Sequence, residues 1–287
     1  MNNMKQFTLE RENGYKIQGY KWDVENPDKT VCLIHGIGEH AGRYDRLAGV
    51  FNDNNIAVFA MDLRGHGKTD GKRGDCAPRK SVLEDVDALI DEIKKEHPNC
   101  SVVIYGHSMG GNIALDYRNR GKYNGDAAGY VISAPWVKLV RSVPKPLYVF
   151  VKAARKLAPT LTISSSVNTS VLGNPIHNKA YEKDELVHKR ISLRCAVDGF
   201  DIGNALYEDT HEISGEGRKR PMLLMHGDCD KICDIAGSDR IFENQKATCE
   251  YIRWQGLYHE IHNGGPDSDG TEVIEKAATW ICKLTTV

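Results

Sequence analysis

The stretch VVIYGHSMGGNIAL, residues 102–115, decides the fold of this chain. Its β-branched start predicts a buried strand, and its end follows helical spacing. Between them, residues 106–110 (G-H-S-M-G) fit the pattern G-x-S-x-G, which places a serine on a sharp turn from strand to helix. Glycine occupies the two positions where a Cβ would clash in such a turn. The sequence therefore predicts that Ser108 stands at the carboxyl end of a central strand.

The rest of the chain alternates short apolar runs with segments of helical periodicity. Such alternation is typical of a mostly parallel, doubly wound α/β sheet, because parallel strands need crossover helices. Two alternating runs flank Asn13-Gly14 and predict an antiparallel hairpin at the start of the chain. Ser81 and Glu84 form a capping box, which predicts that a helix begins there. The predicted strands are residues 30–35, 56–61, 101–105, 129–133, 221–225 and 250–254, and the predicted helices are residues 43–54, 81–97, 111–120, 235–247 and 271–284.

Residues 135–219 interrupt this alternation with prolines, a Ser/Thr-rich stretch and no convincing strand. An amphipathic run within them predicts an inserted helical cap, so that residues 1–134 and 220–287 form the α/β core. The apolar stripe of this run either packs against the core or covers an apolar substrate as a lid. For the lid we predict that an apolar substrate contacts Leu147, Phe150 and Val151.

Composition argues against several classes of function. The chain of 287 residues is 40% hydrophobic with a net charge of −1, which supports a sizeable core but gives no general attraction for nucleic acid. We find neither a secretion signal nor a run of about 18 apolar residues that could span a membrane, and we therefore expect a cytoplasmic protein. The eight scattered cysteines are expected to be reduced thiols. Motifs for nucleotides and zinc fail on spacing, so we predict no cofactor and no metal.

A serine hydroxyl becomes a strong nucleophile only when a base takes its proton and an acid orients that base. After an elbow of this kind the acid comes next in the sequence and the histidine last, each beyond a strand. Asp228, Asp230 and Asp234 follow the second-last predicted strand. His259 and His262 follow the last one. The order is met, but the distance from the strand ends does not choose among these residues.

The same chemistry needs hydrogen-bond donors for the negative charge that develops on a substrate oxygen. The backbone N–H of Met109, directly after the serine, is one expected donor. The loop H-G-I-G at residues 35–38 follows an earlier predicted strand, so the N–H of Ile37 is the expected second donor.

These motifs resemble those of monoacylglycerol lipases and related lysophospholipase-like serine hydrolases of the α/β-hydrolase fold. H-G-I-G-E-H at residues 35–40, with R-Y at 43–44, is similar to the family's oxyanion segment. D-L-R-G-H-G at 62–67 resembles the family's turn after the next strand. G-H-S-M-G-G at 106–111 resembles the family's turn that carries the nucleophilic serine. In the cap, D-E-L-V-H at 184–188 resembles the family's D-P-L-V-H run, with Glu in place of Pro.

The resemblance also implies roles for individual residues. The family acid is the last residue of G-x-x-D, here Asp230, and the family base is the histidine of G-x-x-H, here His259. The implied activity is a cofactor-independent serine esterase that hydrolyses monoacylglycerols, or related monoacyl lipid esters, through an acyl-enzyme on Ser108. Family behaviour further implies transient contact of the cap with membrane surfaces, although we recognise no basic patch.

Other functions fit the same motifs. A lysophospholipase or an esterase for short or aromatic acyl groups would keep the serine and change the substrate. A proline iminopeptidase would need an acidic anchor for the substrate amine, for which Glu182, Asp184 and Glu185 of the cap are the available residues. A ligand receptor that kept a hydrolase fold would not turn substrate over. The sequence specifies no oligomeric state.

Overall fold

The computed structural model describes residues 4–165, 167–210 and 215–285, and one mostly parallel sheet organises them. The strands are β1 (Met4–Glu10), β2 (Lys16–Trp22), β3 (Lys29–Ile34), β4 (Ile56–Met61), β5 (Ser101–His107), β6 (Gly129–Ser133), β7 (Thr162–Ser164), β8 (Arg190–Ser192), β9 (Met222–Gly227) and β10 (Cys249–Trp254). The main sheet has the order β1-β2-β4-β3-β5-β6-β9-β10. Strand β2 pairs antiparallel with both of its neighbours, and all other neighbouring pairs of this sheet are parallel.

Helices cover both faces of this sheet, so the doubly wound α/β prediction is confirmed. Alternate residues of β3 enter two separate apolar clusters, Cys32 and Ile34 on one face, and Val31 and Leu33 on the other. Helices α2, α3, α6 and α7 contribute to the first cluster, and α1 and α8 to the second. The helices are α1 (Asp45–Asp53), α2 (Arg79–Glu96), α3 (Met109–Arg120), α4 (Lys145–Leu157), α5 (Pro175–Lys183), α6 (Leu193–Glu208), α7 (Ile235–Gln245) and α8 (Thr271–Cys282).

The predicted N-terminal hairpin is confirmed, with β1 and β2 in register from Met4 opposite Trp22 to Glu10 opposite Lys16. The predicted capping box is wrong, because α2 begins at Arg79 and Ser81 is its third residue. Pro78 precedes this helix, and proline suits a helix start because the first N–H groups have no intrahelical acceptor.

The segment predicted as a cap holds α4, α5 and α6 and, against expectation, a small sheet. Strands β7 and β8 pair antiparallel over three residues each, too short to show an alternating pattern. The division into a core and a cap of residues 135–219 stays a prediction, and residues 166 and 211–214 lie outside the described residues.

The amphipathic helix predicted in the cap is present as α4, but its apolar stripe does not pack against the core. No residue of α4 is buried, and Leu147, Phe150 and Leu157 are 50%, 69% and 91% exposed. The helix therefore presents apolar side chains to its surroundings. None of the helices in the described ranges is long and apolar enough to cross a membrane.

Candidate active site

The turn after β5 has the strained geometry that its sequence predicts. Ser108 adopts φ +55° and ψ −116°, outside the regions that side chains favour. A Cβ on Gly106 would lie 2.3 Å from the carbonyl oxygen of Gly110. A Cβ on Gly110 would lie 2.0 Å from the carbonyl oxygen of Ile34 on the neighbouring strand. Only glycine fits at either position, and the turn aims the serine away from the end of β5.

The structure brings Asp230 and His259 to this serine. The Nε2 atom of His259 lies 2.9 Å from Ser108 Oγ, and its Nδ1 lies 2.7 Å from Asp230 Oδ2. All three side chains are buried, and they form one hydrogen-bonded chain. This is the arrangement in which an acid orients a base and the base accepts the proton of a hydroxyl.

The other acids and the other histidine of these loops have different contacts. Asp228 accepts a hydrogen bond from the N–H of Gly256, and Asp234 accepts one from Ala236 at the start of α7. His262 is buried and its ring stacks on Tyr44. Among the described side chains, it makes no hydrogen bond to Ser108.

Electrostatics sets the protonation states of the pair. Burial by itself would raise the pKa of Asp230, but attraction to His259 and hydrogen bonds from His226 and His259 outweigh it and hold that pKa below its usual range. Burial by itself would lower the pKa of His259, but the Asp230 carboxylate more than compensates, so this pKa is raised. The acid is therefore ionised at neutral pH, and the histidine is a stronger base than usual.

Sequence reasoning missed His226, which supports the acid from the end of β9. Its Nε2 lies 3.0 Å from Asp230 Oδ2, and its Nδ1 lies 2.7 Å from Ser238 Oγ. The N–H groups of Ile232 and Cys233 hold the second carboxylate oxygen of Asp230. These contacts fix the orientation of the carboxylate that faces His259.

The two residues expected to supply oxyanion donors border the serine or its cavity, and their role as donors stays a prediction. Met109 is the first residue of α3, whose first N–H groups have no intrahelical acceptor and lie at the positive end of the helix dipole. The loop of residues 35–38 packs against the elbow, since a Cβ on Gly36 would lie 3.1 Å from the Cβ of Ser108. Ile37 and Ser108 line the same cavity.

That cavity is small, and its empty volume of about 320 Å³ includes space open to solvent. Besides the serine and histidine, its apolar lining comes from Ile37, Val167, Leu172 and Ile232. Leu147, Phe150 and Val151 do not line it, and their contact with an acyl chain stays a prediction.

A buried cluster of charged side chains around Arg43 connects the loops of the site, whereas the sequence placed this residue only in the segment that resembles the family's oxyanion segment and predicted no ion pairs for it. Its guanidinium binds both carboxylate oxygens of Glu260, at 2.8 and 2.7 Å, and Oε2 of Glu39 at 2.6 Å. Glu39 in turn accepts a hydrogen bond from the N–H of Gly36, and the Arg43 guanidinium lies 4.5 Å from the ring centre of Tyr181 in the cap. One side chain thus links the loop of residues 35–38, the loop that carries His259 and helix α5.

Replacing Arg43 by Met is expected to lower the free energy of unfolding by about 3–5 kcal/mol, because Glu39 and Glu260 would stay buried without their counter-charge. Urea denaturation measures this loss. The matched control is Arg253→Met, whose side chain is 56% exposed beside Asp239 and whose loss should cost about 1 kcal/mol or less. Equal effects of the two substitutions would contradict the assignment.

Away from this site, one further group of side chains could in geometry bind a metal. Ligand atoms of Asp23, Glu96 and His97 lie within 4.8 Å of one another in the described part of the chain. His97 is already hydrogen-bonded to Asp23, and Glu96 pairs with Lys21, so these side chains have protein partners.

A serine elbow hydrogen-bonded to a histidine and an aspartate, at the carboxyl edge of a doubly wound sheet, defines a serine hydrolase of the α/β-hydrolase fold. The chain belongs to the family described as "Serine aminopeptidase, S33", whose model matches residues 25–265.

Known relatives agree with this class. The chain is 30% identical to a monoacylglycerol lipase of Mycolicibacterium smegmatis over 91% of each protein. It is 30% identical to the monoglyceride lipase of Mus musculus over 89% of this chain and 82% of that protein. The solved monoacylglycerol lipase of Paleococcus ferrophilus is 28% identical, with a TM-score of 0.80 over 94% of this chain and 99% of its own. The resemblance predicted from the motifs is confirmed.

Proposed function

We propose that this protein hydrolyses monoacylglycerols to fatty acid and glycerol through an acyl-enzyme intermediate. The observation that carries the proposal is the continuous hydrogen-bonded chain from Asp230 through His259 to Ser108. The names of the relatives support the choice of a monoacyl lipid ester as substrate.

In the proposed mechanism Ser108 Oγ attacks the ester carbonyl while His259 Nε2 takes its proton. The N–H groups of Ile37 and Met109 stabilise the oxyanion, and Asp230 stabilises the imidazolium that forms. His259 then protonates the departing glycerol oxygen. Water attacks the acyl-enzyme by the same steps and releases the fatty acid.

The acids near the site favour an ester over a peptide with a free amine. Of the three acids considered as an amine anchor, Asp184 pairs with His40 and Glu182 accepts a hydrogen bond from Thr169. None of the three lines the cavity beside Ser108. The acids that do line it, Glu39 and Glu260, are already hydrogen-bonded to the shared guanidinium of Arg43.

Hydrolysis of a chain-length series of 1-monoacylglycerols, matched lysophospholipids, short aryl esters and a peptide with an N-terminal proline tests the proposal, with released fatty acid, phenol or free proline as the respective readouts. We expect turnover that prefers monoacylglycerols. A preference for lysophospholipids or aryl esters would retain the mechanism and overturn the substrate. Cleavage of the peptide alone would favour the iminopeptidase, and no turnover of any substrate would favour a receptor.

We also propose that the cap contacts anionic membrane surfaces transiently. Residues 127–181 contain seven Lys or Arg and no Asp or Glu, a basic patch that our sequence analysis overlooked. Two of these, Lys152 and Arg155, pair with aspartates of α6, whereas Arg141 and Lys145 are exposed just before and at the start of α4. Exposed apolar and basic groups close together along the chain suit a surface of anionic lipid. A cytoplasmic location and the lack of a nucleic-acid partner stay predictions.

The double substitution Arg141→Ala and Lys145→Ala is expected to weaken binding to phosphatidylglycerol-containing vesicles about thirtyfold. Each basic side chain near such a surface contributes about 1 kcal/mol, and about 1.4 kcal/mol corresponds to a tenfold change. Vesicle sedimentation measures the effect, and pure phosphatidylcholine vesicles should show little of it. The control is Lys80→Ala, an exposed lysine of α2. An equal loss in the control, or none in the double variant, would refute this contact.

A further inference from the structure

Two cysteines from distant parts of the chain meet where the cap joins the core. Cys76 lies in the loop between β4 and α2, and Cys195 lies in the first turn of α6. Their Sγ atoms are 2.7 Å apart, although the residues are 119 positions apart in the sequence. A disulfide has an S–S distance of about 2.05 Å, so the sulfurs need to approach by only about 0.7 Å.

We propose that Cys76 and Cys195 are a site of covalent modification, at which a small hydroperoxide converts the two thiols into a disulfide between the core and the cap. The Cys76 thiol gives up its proton, and its thiolate attacks the outer peroxide oxygen to form a sulfenic acid as the O–O bond breaks; the departing hydroxide or alkoxide takes up that proton and leaves as water or alcohol. The Cys195 thiol then attacks the sulfenic sulfur and displaces water. In total, two thiols lose two electrons and two protons, and the O–O bond of the hydroperoxide is reduced.

The surroundings favour Cys76 as the attacking thiol. The hydrogen bond between the two thiols and the positive charge of Arg79 oppose the effect of burial and lower the pKa of Cys76. We therefore assign the first step to Cys76 and the resolving step to Cys195.

A small cavity lies beside this pair. Cys76 and Cys195 line it together with Arg79 and Met109. The Nη1 atom of Arg79 is buried and has no hydrogen-bond partner among the described residues, so it is free to bind a peroxide oxygen. Among the described residues, no other two cysteine sulfurs are hydrogen-bonded to each other, so no competing pair is present there.

Oxidation would restrict the movement of the residues packed against Met109. The Sγ of Cys195 lies 3.6 Å from the Sδ of Met109, the residue that follows Ser108. Because the new bond closes a loop of 119 residues, it restricts the unfolded chain strongly. We expect the melting temperature to rise by about 5–10 °C.

The test treats the full chain with a small excess of hydrogen peroxide and digests it without reduction. We expect a linked peptide pair holding residues 76 and 195, lighter by two hydrogens than the separate peptides, together with the rise in melting temperature. Both readouts are independent of hydrolytic activity, so this proposal and the proposed function can fail separately.

Cys76→Ser and Cys195→Ser should each abolish the linked peptides and the rise in melting temperature. Cys282→Ser, a change at an exposed cysteine, should retain both. Separate sulfinic acids at the two positions, or a linkage of either residue to another cysteine, would overturn the proposal. If a variant does not fold, the mass of the linked peptides from the wild-type chain still decides the question.

Discussion

Replacing Ser108 by Ala is expected to lower kcat for ester hydrolysis by about a millionfold, as loss of the nucleophile does in other serine hydrolases. The elbow holds Oγ 2.9 Å from His259 Nε2, so its loss removes the one atom placed to form the acyl-enzyme. The substrate cavity and the oxyanion donors would remain. KM for a monoacylglycerol should therefore change far less than kcat.

The measurement combines steady-state fatty acid release with labelling by a fluorophosphonate, which reacts with activated serines. Wild-type protein should be labelled, and Ser108→Ala should not. Ser170→Ala removes an exposed hydroxyl elsewhere in the cap and should behave as wild type. Labelling that persists in Ser108→Ala would show that another serine is the nucleophile.

Replacing Asp230 by Asn is expected to lower kcat about ten-thousandfold. The amide cannot stabilise the charged imidazole, and it favours the wrong tautomer of His259. The substitution should also move the pH profile. In the wild-type protein Asp230 raises the pKa of His259, so kcat/KM should fall with decreasing pH through a midpoint above the ordinary histidine value of about 6.5.

Without the carboxylate, burial dominates and lowers the pKa of His259, so the remaining activity should persist to lower pH than in the wild type. The acidic midpoint of kcat/KM therefore moves down while kcat falls. Asp228→Asn, in the same loop but exposed and bonded to Gly256, is the matched control and should leave both quantities near wild type. An unchanged midpoint in Asp230→Asn would argue against the proposed role of Asp230.

Most of the fold was predictable because its signals are local. The strands β4 and β6 have the predicted bounds, and the hairpin forms around Asn13-Gly14. The errors came where local signals are weak or compete. Strands β7 and β8 are too short for a periodic pattern, and α2 begins at Arg79, directly after Pro78 and before the capping box that the sequence suggested.

The amphipathic helix α4 shows a second kind of limit. Periodicity predicted the helix correctly, but it does not specify what the apolar face meets. Leu147 and Phe150 proved to be exposed, and neither lines the cavity beside Ser108. A stripe of apolar residues looks the same in a sequence whether a core, a substrate or a lipid surface covers it.

The sequence by itself determined the elbow and the order of the site residues, because steric exclusion at Gly106 and Gly110 acts within a few residues of Ser108. Spacing alone left three aspartates as candidates for the acid and two histidines as candidates for the base. Only the tertiary structure decided which of them meet, since a hydrogen bond between Ser108 and His259 spans 151 residues of sequence. The same holds for Arg43 with Glu260, 217 residues apart. Contacts of this range depend on how the strands order in the sheet and how the loops fold beyond them, which no local pattern encodes.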